Sequence, residues 1–314
     1  MTWLNIDESG EGQRIDNFLT GYFKGVPKSH IYRILRSGEV RVDSKRVEPT
    51  HRLRVGEALR LPPVRFGARP DPAGTRTPIP VASRLLPRII YQDEALLVID
   101  KPSGIAVHGG SGVSRGVIEQ LRQELPDAEF LELAHRLDRE TSGVLLLAKK
   151  RAALVELHRM MREGGMDKRY LALVNGKWLN VRQNIRLPLL KFHTAEGERR
   201  VAVSADGQPA HTVFTLKKNW PEFSLLEAEL KTGRTHQIRV HLAHSGFPVA
   251  GDDKYGDFTL HRELHRRGLK RMFMHAYQVT LPHPVSGGQL VLEAPLPDEL
   301  EWFLRKLDDN AETL

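Results

Sequence analysis

Cysteine is absent from this chain of 314 residues, so disulfides and thiolate-bound metals are excluded, and the chemistry fits a reducing compartment, with cytoplasm the expectation. No run approaches the roughly 20 consecutive apolar residues that a membrane-spanning helix needs. The first residues, Met1-Thr2-Trp3-Leu4-Asn5, lack the charged-then-apolar pattern of a secretory leader. Neither membrane insertion nor export is expected. A phosphate-gripping P-loop is missing too: in the Gly-rich stretch 101–116 no Gly is followed by Lys and then Ser or Thr, and no complete dinucleotide fingerprint follows a strand. Nucleotide cofactors are not expected there, and no internal repeat is visible.

What is present in excess is positive charge. The chain carries 47 Lys and Arg against 39 Asp and Glu, a formal charge of +8. Between Gln13 and Leu61 eleven basic residues stand against five acidic ones, so most of the surplus lies in one short segment. Such a concentration suits a surface that tracks phosphates, because each neutralised phosphate releases counterions. A solvated basic face and an anionic membrane surface are the competing readings. The length exceeds what one core usually supports, so two or more folded units are expected.

Residues 14–23 read as a short helix with Ile15, Phe18 and Leu19 on one face, and residues 28–36 as a second helix that Gly38 stops. Residues 39–47 read as a hairpin with Val40 and Val42 beside a turn at Asp43-Ser44, and residues 53–61 as a further strand. With Arg14-Ile15-Asp16, Ser29 and Ile31, Gly38-Glu39-Val40 and Val55-Gly56-Glu57 at their places, this pattern resembles the S4 RNA-binding domain over about fifty residues. The resemblance implies an S4 domain at 1–61 whose Arg33, Arg36, Arg41 and Lys45 contact phosphates. Pro62, Pro63, Pro70, Pro72, Pro78, Pro80 and Pro87 then cluster, as in a semi-stiff linker at 62–86. Beyond it, strand-like runs at 89–90, 96–99, 144–148, 170–174, 223–230 and 272–281 are interrupted by helical patterns at 117–125, 152–162, 236–244 and 299–307. Irregular mixing of strands and helices predicts an α+β domain at 87–307, followed by a polar tail at 308–314.

Two motifs suggest other chemistries. Gly112-Val113-Ser114-Arg115-Gly116 matches a nucleophile elbow, and His108-Gly109-Gly110 resembles an esterase oxyanion loop. In a hydrolase those pieces follow different strands, whereas here they abut in one loop, which argues against a serine hydrolase. His236, His241 and His244, with Asp252 and Asp253 beyond, invite a metal. Without cysteines, a His-Glu-x-x-His pattern or a clear third ligand, none is expected.

Three further elements remain, each ordinary alone. His135-Arg136-Leu137-Asp138-Arg139-Glu140-Thr141-Ser142-Gly143 places an aspartate between two arginines, which by itself reads as a surface ion pair. Asp167-Lys168-Arg169-Tyr170 is a basic strand entrance whose tyrosine suits a core equally well. Thr232-Gly233-Arg234-Thr235-His236-Gln237-Ile238-Arg239-Val240-His241 is a donor-rich helix start that suits phosphate or solvent. In this order, with Val98-Ile99-Asp100-Lys101-Pro102-Ser103-Gly104 before them and Gly251-Asp252-Asp253-Lys254-Tyr255-Gly256 after, they resemble the RluA-type pseudouridine synthase family, from about Pro87 to Lys306. Asp100 departs from the family's frequent asparagine before Lys-Pro.

The resemblance implies a mixed, mainly antiparallel sheet and isomerisation of uridine to pseudouridine in large-subunit ribosomal RNA. It makes Asp138 the essential aspartate, Tyr170 the active-site tyrosine and Arg239 the cation paired with Asp138. Arg136 is implied to fill the space left by a flipped uridine, with His135, Arg234 and His236 also on the RNA. The isomerisation is redox-neutral, so no cofactor or metal is implied. Ribosomal RNA, in free form or in pre-ribosomal particles, is the expected partner, and a monomer is the simplest state. A synthase acting on transfer RNA shares the catalytic set, and a non-catalytic assembly factor predicts broken motifs. Whether Asp138 attacks the ribose or assists a glycal route stays open.

Overall fold

The computed structural model describes residues 2–7, 10–23, 26–63, 83–109, 115–195, 197–256 and 258–312. Most of the proline-rich stretch and residues 110–114 of the Gly-x-Ser-x-Gly region lie outside the described residues. The chain divides into two compact units, Met1–Ser83 and Arg84–Leu314.

The first unit contains β1 (Thr2–Asn5), α1 (Ile15–Tyr22), α2 (Lys28–Arg36), β2 (Arg41–Val42) and β3 (Ala58–Leu61), with sheet order β1-β3-β2. Ile15 and Leu19, four apart, and Ile31, Ile34 and Leu35, three and four apart, put one face of each helix onto Val40, Leu53 and Leu59. Asp16 is buried at the start of α1, where Arg14 grips it through Nε at 3.1 Å and Nη2 at 2.7 Å and the Tyr32 hydroxyl donates at 2.9 Å. The Asp43-Ser44 turn has both residues at positive φ, +46° and +67°, the twist that a two-residue hairpin requires. The strand expected over 53–61 is shorter, because Glu57 N–H closes a turn on Arg54 O and Gly56 sits at φ +88°.

The second unit begins with a 3-10 turn (Leu86–Arg88) and runs through β4 (Ile89–Gln92), β5 (Leu96–Lys101), α3 (Val117–Glu124), β6 (Glu132–Leu133), β7 (Ser142–Ala148) and α4 (Arg151–Glu163). It continues with β8 (Asp167–Asn175), β9 (Arg182–Ile185), β10 (Leu189–His193), β11 (Arg199–Val203), β12 (Thr212–Asn219), β13 (Phe223–Leu230) and α5 (Gln237–His244). The closing elements are α6 (Phe258–Arg266), β14 (Met274–Pro282), β15 (Gln289–Glu293) and α7 (Asp298–Glu312).

Ten strands form one sheet in the order β4-β5-β7-β14-β8-β13-β12-β9, with β15 beside β14 and β6 beside β7. Its pairings are antiparallel except β7 with β14. The fold is therefore α+β with a mixed, mainly antiparallel sheet. β5 and β7 read as unbroken apolar runs because the sheet is covered on both sides. Leu97, Ile99, Leu145 and Leu147 pack with α3 and α5 on one face, and Leu96, Val98, Val144 and Leu146 with α4 on the other.

Residues 308–312, expected as a polar tail, are instead the last turns of α7. Asp308 accepts from the Trp220 indole at 2.8 Å and pairs with Lys218 at 2.6 Å, which holds that end of the helix on the sheet. Polar, weakly patterned strands such as β10 and β11 escaped the periodicity reading because little of them is buried.

Gly143 opens β7 at φ +112°, and a Cβ there would lie 2.2 Å from the Ala276 carbonyl oxygen on β14. Gly143→Ala is therefore expected to cost about 2–3 kcal/mol in urea unfolding, through both strain and clash; an unchanged midpoint would show that the two strands can separate without penalty.

Candidate active site

Asp138 lies in the loop that leads from β6 into β7, at the centre of the sheet, and its side chain is 15% exposed. Arg239, on the first turn of α5, offers Nη1 to Asp138 at 3.2 Å. Its other two nitrogens, Nε and Nη2, bind the two oxygens of Asp252 at 2.7 Å each. Asp252 is fully buried and accepts the backbone N–H groups of Lys254 at 2.9 Å and Tyr255 at 3.1 Å. The Tyr255 ring lies 5.0 Å from the Arg239 guanidinium. Burial alone would depress Arg239, yet the carboxylates of Asp252 and Asp138 hold its pKa above the ordinary value. Each hydrogen-bonding nitrogen of the guanidinium has a carboxylate oxygen, so the face it presents to Asp138 is set.

His236 caps α5 in the left-handed region at φ +54°. Its Nδ1 is 2.7 Å from the Tyr255 hydroxyl and its Nε2 is 3.8 Å from Asp138. Burial lowers its pKa, and the charge on Asp138 opposes that. The loop before α5 is knitted by Gln237, whose Oε1 accepts from the Thr232 hydroxyl at 2.7 Å and the Arg234 amide at 3.0 Å.

Tyr170 comes from β8, on the core side of the sheet. Burial, then the Asp138 charge, raises its pKa, so the ring stands beside the carboxylate as a neutral phenol. Asp138 and Tyr170 share a cavity of about 570 Å³ with Arg136, Lys168, Arg234 and His236. A second basin of about 390 Å³ opens on the other side of Asp138, lined by His108, Arg139, Glu198, Arg200 and Lys254. Arg136 is exposed and borders both. Both volumes lie in the range of roughly 300–1,000 Å³ typical of small-ligand sites.

The sequence thus singled out residues that the fold brings together: Asp138, Tyr170, Arg239, Arg136, Arg234 and His236. His135 also borders the larger cavity, but its Nε2 accepts the Leu146 amide at 3.1 Å, and burial lowers its pKa to about 4. Through that contact it braces the loop from the wall of the cavity. His241 turns away as well, with its ring nitrogens 3.0 Å from the Thr212 hydroxyl and 3.0 Å from the Leu187 carbonyl. Among the described residues no His, Asp and Glu group is arranged to hold a metal.

In the first unit Arg33 pairs with Glu39 at 3.3 Å, and Arg41 donates to the Gly38 and Ser44 carbonyls, bracing the hairpin. Arg36 and Lys45 are exposed.

Two supports went unread in the sequence. Asp252 belonged to a recognised run, Gly251-Asp252-Asp253-Lys254-Tyr255-Gly256, which was the signal available for it. Lys101, at the end of β5, is fully buried, and its ammonium donates to the carbonyls of Pro102 and Ile105 at 2.8 Å and of Arg139 at 3.1 Å. Burial, then Arg271 nearby, lowers its pKa to about 7. With Ser103 Oγ donating to Glu140 O at 2.8 Å, it pins the chain just after Asp138.

An anionic carboxylate clamped by a buried arginine, a neutral phenol beside it and a cationic rim form a site for a flat, phosphate-bearing ligand on which positive charge develops. The family models agree with that geometry: residues 95–244 match the RNA pseudouridylate synthase model and residues 13–59 the S4 domain model. The chain belongs to the RNA pseudouridine synthase family and is an isomerase.

Among its relatives, the ribosomal large subunit pseudouridine synthase C of Pasteurella multocida is 49% identical over 98% of this chain and 94% of its own. The protein of the same name from Escherichia coli strain K12 is 50% identical over 97% and 95%. Of solved structures, human RNA pseudouridylate synthase domain containing 4 is similar to this chain with a TM-score of 0.59 and 27% identity, covering 71% of this chain and 94% of that one.

Removing one member of a buried pair leaves the other uncompensated. Arg239→Met should cost about 3–5 kcal/mol in denaturant unfolding and abolish pseudouridine formation. Arg239→Met combined with Asp252→Leu should recover most of that stability while activity stays lost; recovery of both would mean that the pair serves only the fold.

Proposed function

We propose that this chain isomerises uridines of large-subunit ribosomal RNA, with Asp138 as the group that carries the chemistry, acting as a cytoplasmic monomer on free RNA or on pre-ribosomal particles. The observation that carries the reading is the Asp252–Arg239–Asp138 chain of contacts, which aims one carboxylate into a cavity opposite the buried Tyr170. The names of the relatives, matched over nearly the whole chain, support the choice of RNA.

The reaction breaks the bond between uracil N1 and ribose C1′, turns the base, and re-forms the link through C5, while a proton leaves C5 and N1 gains one. Positive charge grows on the sugar as the first bond breaks, and the Asp138 carboxylate offsets it, as carboxylates do in glycoside cleavage. Arg239 orients that carboxylate through its Nη1 contact. Tyr170 packs against the uracil; its raised pKa makes the phenol a surface and a hydrogen-bonding group rather than a phenolate base. A uridine in folded RNA must leave its stack to enter the cavity. Exposed Arg136, at the mouth, stacks in the space it vacates, with Arg234 and His236 on the adjacent backbone.

Asp138→Asn should retain affinity for deproteinised large-subunit RNA and form no pseudouridine, as read by carbodiimide mapping; residual activity would remove Asp138 from its role. The same mapping on ribosomal and transfer RNA from cells lacking the protein separates the two RNA classes. Through the S4 unit, Arg36→Gln and Lys45→Gln should each weaken RNA binding for every sequence and lower the salt slope by about one; unchanged slopes would take those cations off the phosphates.

A further inference from the structure

β10 and β11 form a separate two-stranded hairpin. In its register Leu189 faces Val203, Leu190 faces Ala202, Lys191 faces Val201 and Phe192 faces Arg200. Side chains alternate, so the hairpin has two distinct faces. Leu189, Val201 and Val203 turn one way and pack on Val240 of α5 and on Tyr255, whose hydroxyl accepts the Val201 amide at 3.0 Å. That face is used to hold the hairpin against the site.

The opposite face carries Leu190, Phe192, Ala202 and Arg200. Leu190 and Phe192, two residues apart on this face, are each 40% exposed. Arg200 reaches from this face to the Lys254 carbonyl at 3.2 Å and lines the basin beside Asp138. Directly opposed residues lie about 4.5–5.5 Å apart at Cβ, so Phe192 is one cross-strand step from the wall of that basin. Lys191 and Arg199 are exposed but lie on the other face of the hairpin, so Arg200 is the cation that shares the face of Phe192. Arg200 and Lys254 share Glu198, at 2.8 and 2.7 Å, so the trio keeps one net positive charge at the wall of the basin. An exposed aromatic ring beside that charge has the chemistry of single-stranded nucleic acid binding, with a phosphate on the cations and a base on the ring.

We propose that this face of the hairpin is a docking surface for the RNA strand flanking the target uridine, in which an unstacked base lies on Phe192 and the neighbouring phosphate meets Arg200 and Lys254. The proposal rests on the RNA assignment above. It makes Phe192 a determinant of substrate affinity and not of the bond-breaking step, since the ring is outside the cavity that holds Tyr170.

The test uses the full chain and a deproteinised large-subunit RNA transcript. Phe192→Ala should raise Kd and KM by roughly five- to a hundredfold, the range that base–aromatic stacking supports, with kcat within about twofold. Phe192→Trp should restore both and show fluorescence quenching on RNA addition beyond that of the wild-type tryptophans, whereas Phe192→Leu should fail to restore them. If Leu serves as well as Trp, or Ala is silent, or the new Trp is not quenched, stacking at this face is wrong. If instead Phe192→Ala leaves RNA affinity intact and abolishes a self-association seen by sedimentation, the face belongs to a second copy of the chain and the proposal falls. Wild-type activity on the transcript tests the RNA assignment separately, so either can fail alone.

Discussion

A buried guanidinium must be answered by charge, and the answer given to Arg239 organises this site. Asp252 takes two of its nitrogens and is itself fixed by two backbone amides, so the third nitrogen is left pointing at Asp138. Taking such ions out of water is costly, and the cost is offset only when every contact is in place. The same demand orders the turn after α5, sets Tyr255 beneath the guanidinium, and through Tyr255 ties both His236 and the β10–β11 hairpin to the site. A single arginine thus couples three segments that are distant in sequence.

The sheet supplies the frame. Tyr170 on β8 and the Asp138 loop before β7 come from strands separated only by β14, and α5 follows β13, the other neighbour of β8. Burial of both sheet faces makes β5 and β7 largely apolar, whereas β13 carries the buried Glu227, which is paired with Arg169 of β8 and the Tyr277 hydroxyl of β14. Lys101, at the end of β5, is fully buried, and its ammonium donates to carbonyls that hold residues 102–105 and 139 together. Position in the cavity is therefore set by backbone restraint on both sides of Asp138.

Much of this was legible in the chain. Long apolar runs and helical spacing located β5, β7, β13, α2, α3 and α4 within a residue or two, and β8 within three, because their patterns are made by burial itself. The family motifs brought out Asp138, Tyr170 and Arg239 together, whereas charge and spacing alone left Asp138 as a surface ion pair. His135 has no local sign in its polar motif that its ring nitrogen accepts an amide eleven residues away. The acidic and polar end of α7 read as a tail, since its anchor, Trp220, is 88 residues distant in sequence.

By itself the sequence specified the long apolar strands and the main helices, the division into a basic segment and an α+β body, and the set of chemical groups available to the site. Those properties depend on local spacing and composition. Which groups meet was decided only by the tertiary structure: that Asp252 holds Arg239, that Lys101 pins the loop after Asp138, and that Phe192 shares a face with Arg200. Pairings of that kind are fixed by sheet order and register, and neither is written in any short window of the chain.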